Sequence, residues 1–405
     1  MVKKANDHYR CEILAKEERK DKNIRFYLWN SMKIAVNTRF LLSNYLEGYG
    51  YFVFEVFKYL TNKYPEHQFI FIFDRPFDKR FVFSSNITPV IAGPPARHPL
   101  LWKYWYDVRI PSILKKYEAD VFVSVDGLCS LKTTTPQCLT VHDVAFLHFP
   151  AHIKRSHLFF FKKYIPKFLQ KAKSIATVSE FSKKDILDHY KTDPEKISVV
   201  YSAAKEIFKP VTLEVAEATK KKYTDGTEYF LYIGAIHPRK NLVNLLKAFS
   251  IFKKRQKSNM KLVLAGRLAW KYDSFVQNLR KYKFKEDVIM LGYLSEDDLV
   301  KITGSAYALV YPSLLEGFGV PVLEAMKCNV PVITSFGSSM EEIAKDAALY
   351  ADAKNFEDIA DKMMLIYKDE KLRKELIEKG KVIAAHYSWQ RTAELLWQSI
   401  LKAVN

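Results

Sequence analysis

Residues 313–331 contain the side chains best suited to chemistry. Glu316 precedes the turn 317–319 (Gly-Phe-Gly), Pro321 falls at the expected first helical turn, and Glu324 follows inside that helix. Glycines before a helix start let backbone amides approach a ligand, and the helix dipole favours an anion there. The pattern predicts a diphosphate site edged by two carboxylates. A glycine-rich turn with two solvated glutamates fits the same residues.

A second basic element lies in residues 234–242, where Arg239 and Lys240 are adjacent. A guanidinium offers paired donors and an ammonium a point charge, and together they suit one diphosphate. An Arg-Lys pair alone is usually a solvated surface. Two anion-binding elements at strand ends in the same half of the chain are much less expected by chance. We therefore interpret them as one site for a phosphorylated ligand.

The elements that must position these residues are short apolar strands alternating with helical stretches. We predict strands at 33–37, 68–74, 120–125, 137–142, 174–179 and 197–201, then at 229–234, 261–266, 287–292, 306–312 and 330–334. This alternation predicts the α/β class, with two doubly wound parallel sheets and a hinge near 205–212. Such sheets bind ligands at the carboxyl ends of their strands, so we expect a nucleotide in the crevice between the halves.

Length and composition set the limits. The 405 residues are 48% hydrophobic and 27% charged, which excludes disordered, collagenous and coiled-coil chains. No window approaches the ~20 apolar residues of a membrane span, and the charged N-terminus lacks a signal-peptide pattern, so we expect a cytoplasmic protein. The four cysteines form no Cys-x-x-Cys pair and are expected to be reduced. The net charge of +19 permits nucleic acid, an anionic membrane or phosphorylated small molecules as partners.

Several motifs together resemble the family 4 (group 1) glycosyltransferases, which are retaining enzymes of GT-B architecture. These motifs are R-K-N-L at 239–242, E-G-F-G-V-P-V-L-E-A at 316–325, V-P-V-I-T at 330–334, E-G-Y-G at 47–50, V-H-D at 141–143, T-V-S-E-F-S at 177–182 and S-W-Q at 388–390. The resemblance covers residues 32–405, and it implies two Rossmann-like domains that face each other across a cleft.

The domain boundaries follow from this resemblance and from the charge pattern. Residues 1–31 carry charge without apolar periodicity and are predicted to be an N-terminal extension. The resemblance implies an acceptor-side domain at 32–205, completed by a C-terminal helix at 388–405 that crosses back onto it. The nucleotide-sugar-binding domain is then expected at 206–387.

The resemblance also implies roles for the candidate catalytic residues. Arg239 and Lys240 would neutralise the donor diphosphate as leaving group, Glu316 would contact the transferred sugar, and His142 would face that sugar from the N-terminal domain. A lone histidine that ends a strand is otherwise more often structural. Sequence does not decide whether Glu316 positions the sugar or attacks it.

The donor would be held mainly by backbone and by one carboxylate. Amides of the glycine turn would hold phosphate and sugar, the helix glutamate would bind the ribose hydroxyls, the N-terminal glycines would allow close approach to phosphate or acceptor, and a tyrosine-leucine pair would lie near the base. The implied donor-binding residues are Gly48, Gly50, Gly317, Phe318, Gly319, Val320, Glu324, Tyr293 and Leu294.

The sequence lacks the motif by which many nucleotide-sugar enzymes bind a metal ion. No Asp-x-Asp occurs in the chain, so the usual carboxylate pair for a divalent cation on a nucleotide sugar is missing, and Arg239 and Lys240 supply positive charge instead. We expect a metal-independent hexosyltransferase without a cofactor, its nucleotide sugar being a co-substrate.

The expected reaction moves a hexose, first mannose from GDP-mannose, to a saccharide or lipid-linked acceptor in cell-surface polysaccharide synthesis. The alternatives are a UDP-hexose-dependent transferase and a catalytically silent protein that binds a nucleotide sugar or polyanion. Two basic stretches with aromatic residues, 94–116 and 154–173, suit a face that contacts an anionic membrane from the inside. Amphipathic helices with their aromatic faces in the core explain them equally. No nucleic-acid motif occurs, and no nucleic-acid partner is expected.

Overall fold

The computed structural model describes residues 31–43, 46–268 and 273–405. Of the predicted extension at 1–31, all but Ser31 lies outside the described residues. The described chain folds around two parallel β-sheets. Most of their strand residues are buried, as expected for parallel sheets covered on both faces.

The first sheet has seven strands in the order β3-β2-β1-β4-β5-β6-β7. Its strands are β1 Lys33–Asn37, β2 Gln68–Phe73, β3 Ile87–Ile91, β4 Val121–Ser124, β5 Gln137–Val141, β6 Ser174–Thr177 and β7 Ile197–Val199. The second sheet has six, in the order β10-β9-β8-β11-β12-β13. They are β8 Tyr229–Ile233, β9 Lys261–Ala265, β10 Val288–Gly292, β11 Ala308–Tyr311, β12 Val332–Ser335 and β13 Ala348–Ala351.

The helices connect these strands and cover the sheets. They are α1 Gly48–Lys63, α2 Pro99–Tyr104, α3 Ile110–Tyr117, α4 Ala145–His148, α5 Arg155–Lys171, α6 Glu180–His189, α7 Leu213–Thr224, α8 Leu242–Gln256, α9 Asp273–Arg280, α10 Glu296–Gly304, α11 Val320–Lys327, α12 Ser339–Ala344, α13 Phe356–Lys368, α14 Glu370–Ala385 and α15 Trp389–Val404. A π-helical turn at Trp105–Arg109 joins α2 to α3. None of the described helices is both long and apolar enough to cross a bilayer.

The last helix, α15, packs on the first sheet and so confirms the predicted crossing back. Its Trp397 ring stacks on Tyr64 with the ring centroids 4.3 Å apart, and the Ser174 hydroxyl donates to the Ser399 carbonyl at 2.7 Å. Ser388 caps the helix by accepting from the Arg391 amide. The predicted domain boundary at 205/206 lies between β7 and α7 and stays a prediction.

Candidate active site

Arg239 and Lys240 lie on a single 3₁₀ turn, Pro238–Lys240, directly after β8. The His237 ring caps this turn, its Nδ1 accepting from the Arg239 amide at 3.2 Å. Asn241 ends the turn at φ +64°, a backbone conformation that asparagine tolerates better than most residues. Its side-chain amide donates to the Pro312 carbonyl at 3.0 Å and thereby ties the basic turn to the segment after β11.

Glu316 brings the two predicted anion-binding elements together. Lys240 Nζ lies 2.6 Å from Glu316 Oε1 and 2.7 Å from the Tyr311 hydroxyl, and Arg239 lies 3.4 Å from Glu316 Oε2. Arg239 also donates to the Leu315 carbonyl at 2.5 Å. Two cations against one carboxylate leave the cluster with one net positive charge for a ligand.

The ionisation of Glu316 follows from these contacts. Burial on its own would raise the pKa of this carboxyl, but the charges of Lys240 and Arg239 outweigh burial and lower the pKa to about 2. Glu316 is therefore ionised at every physiological pH. A carboxylate held between two cations is a poor nucleophile and a well-oriented hydrogen-bond acceptor.

Gly317 lies where the two halves of the molecule meet. Its carbonyl accepts from the Ser179 hydroxyl at 2.7 Å and from the Ser182 hydroxyl at 3.2 Å. A Cβ built on Gly317 would lie 2.3 Å from the His142 carbonyl oxygen. The absence of a side chain here is thus explained by the close approach of two protein backbones. Its predicted contact with phosphate stays a prediction.

The rest of the turn prepares the start of α11. Gly319 has φ +97°, a backbone conformation that favours glycine, and a Cβ on it would also displace the end of the Met340 side chain. Val320 begins α11, and no side chain caps that helix start. The turn is braced by Ser339, whose hydroxyl donates to the Glu316 and Phe318 carbonyls at 2.9 and 3.1 Å. Helix-start amides without a side-chain cap suit a phosphate.

Phe318 has a structural side chain. It is buried in the core of the second sheet, with its ring centroid 5.8 Å from that of Tyr387. Any ligand contact of Phe318 would therefore use its backbone, as the sequence prediction assumed.

His142 follows β5 on the opposite side of the cleft. Its Nε2 lies 3.1 Å from the Val125 carbonyl, and the rings of Tyr49 and Phe52 pack edge-on against it at 4.7 and 5.2 Å. Burial lowers the pKa of His142 to about 4. The neutral ring must then donate from Nε2 to Val125, which leaves Nδ1 as an acceptor. Nδ1 of His142 can therefore accept a hydrogen bond from a hydroxyl, and the ring carries no charge at neutral pH.

The two N-terminal glycines differ. A Cβ on Gly48 would meet nothing within 4 Å, so protein packing does not explain this glycine, and its predicted close approach to phosphate or acceptor stays a prediction. A Cβ on Gly50 would lie 2.7 Å from the Phe40 carbonyl oxygen, so packing of α1 explains that glycine. Close approach of a ligand at Gly50 stays a prediction.

Glu324 lies buried in α11, one turn beyond the glycine turn. Burial raises its pKa to about 7, only partly offset by the charge of Lys205. Near neutral pH this carboxyl is about half protonated.

Of the residues expected near the base, Tyr293 is 55% exposed and Leu294 packs partly buried on the core. Tyr293 is thus available to a ligand.

Contacts across the cleft hold the two halves together, and sequence reasoning missed them. The Glu342 carboxylate at the start of α12 accepts from the Glu180 and Phe181 amides at 2.8 and 3.0 Å, which caps α6 from the other half. The Tyr51 hydroxyl donates to Glu296 at 2.5 Å. These residues are recognised only once the structure shows their contacts with the other half, because no local sequence motif marks them.

The Gly317 contact gives a direct prediction. Gly317→Ala places a methyl group against the His142 backbone, so we expect weaker closure and at least a tenfold loss of any activity that needs both halves. Gly93→Ala is the matched control, since a methyl group there meets nothing nearer than the Asp74 carbonyl oxygen at 4.0 Å and no ligand contact is assigned to Gly93. Turnover and small-angle scattering of both variants measure the effect. Equal turnover and equal dimensions in the two variants would contradict it.

Two family models match the chain. The model for glycosyl transferases group 1 matches residues 216–382, which include Arg239, Lys240 and Glu316. The model for glycosyltransferase family 4 matches residues 47–204, which include Gly48 and His142. Each half of the described cleft therefore falls within one of the two models.

Two O-antigen mannosyltransferases are among the proteins similar to the chain. O-antigen chain mannosyltransferase B of Escherichia coli is 30% identical over 252 residues, which are 62% of this chain and 66% of the relative. O-antigen chain mannosyltransferase RfbU of Salmonella typhimurium is 31% identical over 63% of this chain and 67% of its own length. The chain thus spans about two thirds of these relatives.

The solved structures support the fold. Sucrose-phosphate synthase from Thermosynechococcus elongatus superposes with a TM-score of 0.74 at 15% identity, over 91% of this chain and 98% of that chain. Anabaena HepE in complex with UDP-glucose superposes with a TM-score of 0.72 at 14% identity, over 91% and 100%. The predicted architecture of two Rossmann-like domains in the GT-B arrangement is confirmed.

Proposed function

The chain belongs to the group 1 glycosyltransferases of family 4, and we propose that it transfers mannose from GDP-mannose, with retention, to a saccharide or lipid-linked acceptor in cell-surface polysaccharide synthesis. The observation that carries this proposal is the cluster of Arg239, Lys240 and Glu316 at the carboxyl ends of β8 and β11. The two similar O-antigen mannosyltransferases support mannose as the sugar.

Transfer needs stabilisation of the charge that develops on the departing nucleoside diphosphate. Arg239 and Lys240 carry two positive charges, only one of which Glu316 balances, and both side chains are preorganised by hydrogen bonds. Preorganised donors aimed at developing charge are the largest single source of rate enhancement in many enzymes. The uncapped start of α11 adds its dipole to the same end of the cleft.

The sugar would lie between Glu316 and His142, the Nδ1 of the neutral imidazole accepting from a sugar hydroxyl. Because two cations hold the Glu316 carboxylate, we assign it to positioning of the sugar. The glycosidic bond then breaks through an oxocarbenium-like state, and the acceptor hydroxyl attacks from the face that the diphosphate leaves, passing its proton to a phosphate oxygen of that leaving group. Glu324, inside α11, would accept hydrogen bonds from the ribose hydroxyls.

The reaction is proposed to need neither metal nor cofactor. Arg239 and Lys240 provide the charge that a divalent cation would otherwise supply to the diphosphate. In the described residues, the carboxylates of Glu316 and Glu324 are the only acidic groups assigned to the donor. The first is ion-paired and the second is half protonated near neutral pH, and neither state favours a hard cation.

Two alternatives to a GDP-mannose transferase differ from it in the donor or in activity. A UDP-hexose donor is the second candidate, favoured by the similar fold of HepE in its complex with UDP-glucose. The exposed Tyr293 can stack on any base and does not select among them. A silent protein that binds a nucleotide sugar or polyanion is the third candidate, and because the cations around Glu316 would serve it equally, turnover is the property that separates it from the other two.

The test is release of nucleoside diphosphate by the purified full chain with GDP-mannose, UDP-glucose or UDP-galactose and a membrane-lipid extract as acceptor source. We expect release from GDP-mannose, and an α-linked product by NMR. Release from a UDP sugar alone would select the second candidate. Tight nucleotide binding without release from any donor would select the third.

We propose that the enzyme works at the inner face of an anionic membrane. The stretches 94–116 and 154–173 together contain twelve lysines and arginines but a single acidic residue, Asp107. Asp107 forms an ion pair with Lys103. Many of their aromatic side chains are buried, as the core alternative predicted. However, Leu100, Tyr104 and Val108 recur every fourth residue with 75%, 43% and 51% exposure, forming an apolar stripe among cations.

Vesicle flotation tests this docking surface. We expect the protein to float with vesicles containing anionic phosphatidylglycerol and to stay below neutral phosphatidylcholine vesicles. Leu100→Glu should weaken anionic-vesicle binding at least tenfold, because it removes an inserted apolar group and adds a repelled charge. Leu213→Glu on α7 is the matched control, since Leu213 is equally exposed at 76%. Equal losses in both variants would contradict the assignment.

A further inference from the structure

Three ligating side chains meet outside the cleft, and the proposed transfer reaction uses none of them. His148 ends α4, and Asp185 and His189 lie one turn apart on α6. His148 Nε2 lies 2.8 and 3.0 Å from the two carboxylate oxygens of Asp185, and His189 Nδ1 lies 3.2 Å from Asp185 Oδ1. The ligand atoms of all three residues lie within 4.8 Å of one another.

We propose that His148, Asp185 and His189 bind a divalent transition-metal ion, with zinc the best match. Zinc bonds to imidazole and carboxylate of about 2.0–2.1 Å put tetrahedral ligand atoms about 3.3 Å apart. His148 Nε2 lies 2.8 Å and His189 Nδ1 lies 3.2 Å from Asp185 Oδ1, and both distances are close to this ligand-to-ligand separation. Two imidazoles with one carboxylate leave a fourth position for water.

Burial and charge at the cluster favour a bound cation. The Asp185 side chain is only 9% exposed, whereas the two imidazoles are 33% and 38% exposed, so an ion can enter from solvent and be held against a buried carboxylate. The neighbouring Tyr190 hydroxyl is buried and has no hydrogen-bond partner among the described residues. One carboxylate and two neutral imidazole ligands would offer a divalent ion a site with one negative charge.

Binding requires one local change. His189 Nδ1 also lies 2.9 Å from the Asp185 carbonyl oxygen and carries a proton when it donates there. Ligation would move that proton to Nε2 of the same ring and turn the Nδ1 lone pair toward the ion, so the imidazole keeps a single N–H.

The position of the cluster indicates what the ion would do. Segment 145–152 follows His142 in the chain, and its His152 carbonyl lies 3.2 Å from His237 Nε2 on the turn that holds Arg239. An ion shared with α6 would fix this segment at the border of the cleft. The site is thus proposed to be structural and to stabilise the loop between the acceptor side and the basic turn.

Calorimetric titration of the chelator-treated full chain with Zn²⁺, without nucleotide, tests the site. We expect one equivalent to bind and the unfolding midpoint to rise, with affinity at least tenfold lower in His148→Ala and in Asp185→Ala. His386→Ala is the matched control, because His386 Nδ1 makes the same contact to its i−4 carbonyl, 2.8 Å from Val382 O, outside any such cluster. Co²⁺ should give an intense visible absorption band typical of tetrahedral sites in the wild type and in His386→Ala, and should not give it in His148→Ala or Asp185→Ala.

Two results would overturn the proposal. One is the same Zn²⁺ affinity in His148→Ala, Asp185→Ala and wild type, and the other is no binding by the wild type. Neither bears on transfer, since no nucleotide or donor is present. An effect of chelator on turnover that persists in Asp185→Ala would arise in the cleft and count against metal-independent transfer instead.

Discussion

Lys240→Ala is expected to lower kcat/KM for the donor by about 100- to 1000-fold, the range found when one preorganised charge-stabilising donor is removed. Lys240 Nζ lies 2.6 Å from Glu316 Oε1, and the Lys240 side chain is only 14% exposed. Water therefore has little access to take the place of the missing ammonium group. Without the Lys240 ammonium, Arg239 is the remaining cation beside Glu316. The charges of these two side chains cancel, so the cluster no longer carries a net positive charge. Steady-state release of nucleoside diphosphate measures the effect.

The controls separate chemistry from folding. Lys222→Ala removes a lysine with a 61% exposed side chain from α7 and should leave turnover unchanged. Arg239→Ala should cost about as much as Lys240→Ala, while the double variant should cost less than the product of the two, because the side chains act as a unit. Turnover of Lys240→Ala within threefold of wild type, with normal unfolding, would exclude Lys240 from leaving-group stabilisation.

Glu324→Gln is expected to change the pH dependence of stability by about 3 kcal/mol. Burial raises the folded-state pKa of Glu324 to about 7 from the ordinary 4.5, and each pH unit corresponds to about 1.36 kcal/mol. A raised carboxyl pKa contributes stability that is fully present below pH 4.5 and is lost as pH rises through 7. The wild type should therefore lose stability over this window relative to the glutamine variant, which has no proton to lose.

Urea unfolding of both proteins at pH 5 and pH 8 measures this difference. Ribose binding adds a second readout, because hydroxyls donate to the ionised carboxylate and so favour loss of the Glu324 proton. Nucleotide affinity of the wild type should rise from pH 6 to pH 8, and that of Glu324→Gln should be lower and flat. Parallel stability curves for the two proteins would contradict the assigned pKa.

The strand ends that bear the site could be predicted from sequence, because apolar runs and the residues after them are local signals. Two edge strands could not. β3 contains Pro89 and is largely exposed, and β13 is alanine-rich at the other sheet's edge, so neither has a strong strand pattern. Both are stabilised as strands by pairing with the strand that precedes them in the chain.

The site was predicted less completely than the fold. Charge and glycine spacing identified Arg239, Lys240 and Glu316, and the structure brings all three into contact. Sequence could not show that Gly317 faces the His142 backbone, since that contact joins residues from opposite halves. Ser339, which braces the glycine turn from within the same half, was missed for another reason: a lone serine has no motif.

The measurement that tests the proposed donor site most directly is thermal unfolding of wild type and Arg239→Ala in GDP, UDP, ADP and CDP. A nucleotide at about 100 times its Kd stabilises by about 2.7 kcal/mol, a readily measured rise in Tm. We predict that GDP raises the Tm of the wild type most and that Arg239→Ala loses this rise. Equal rises in both proteins, or no rise with any of the four nucleotides, would contradict a nucleotide diphosphate bound at Arg239.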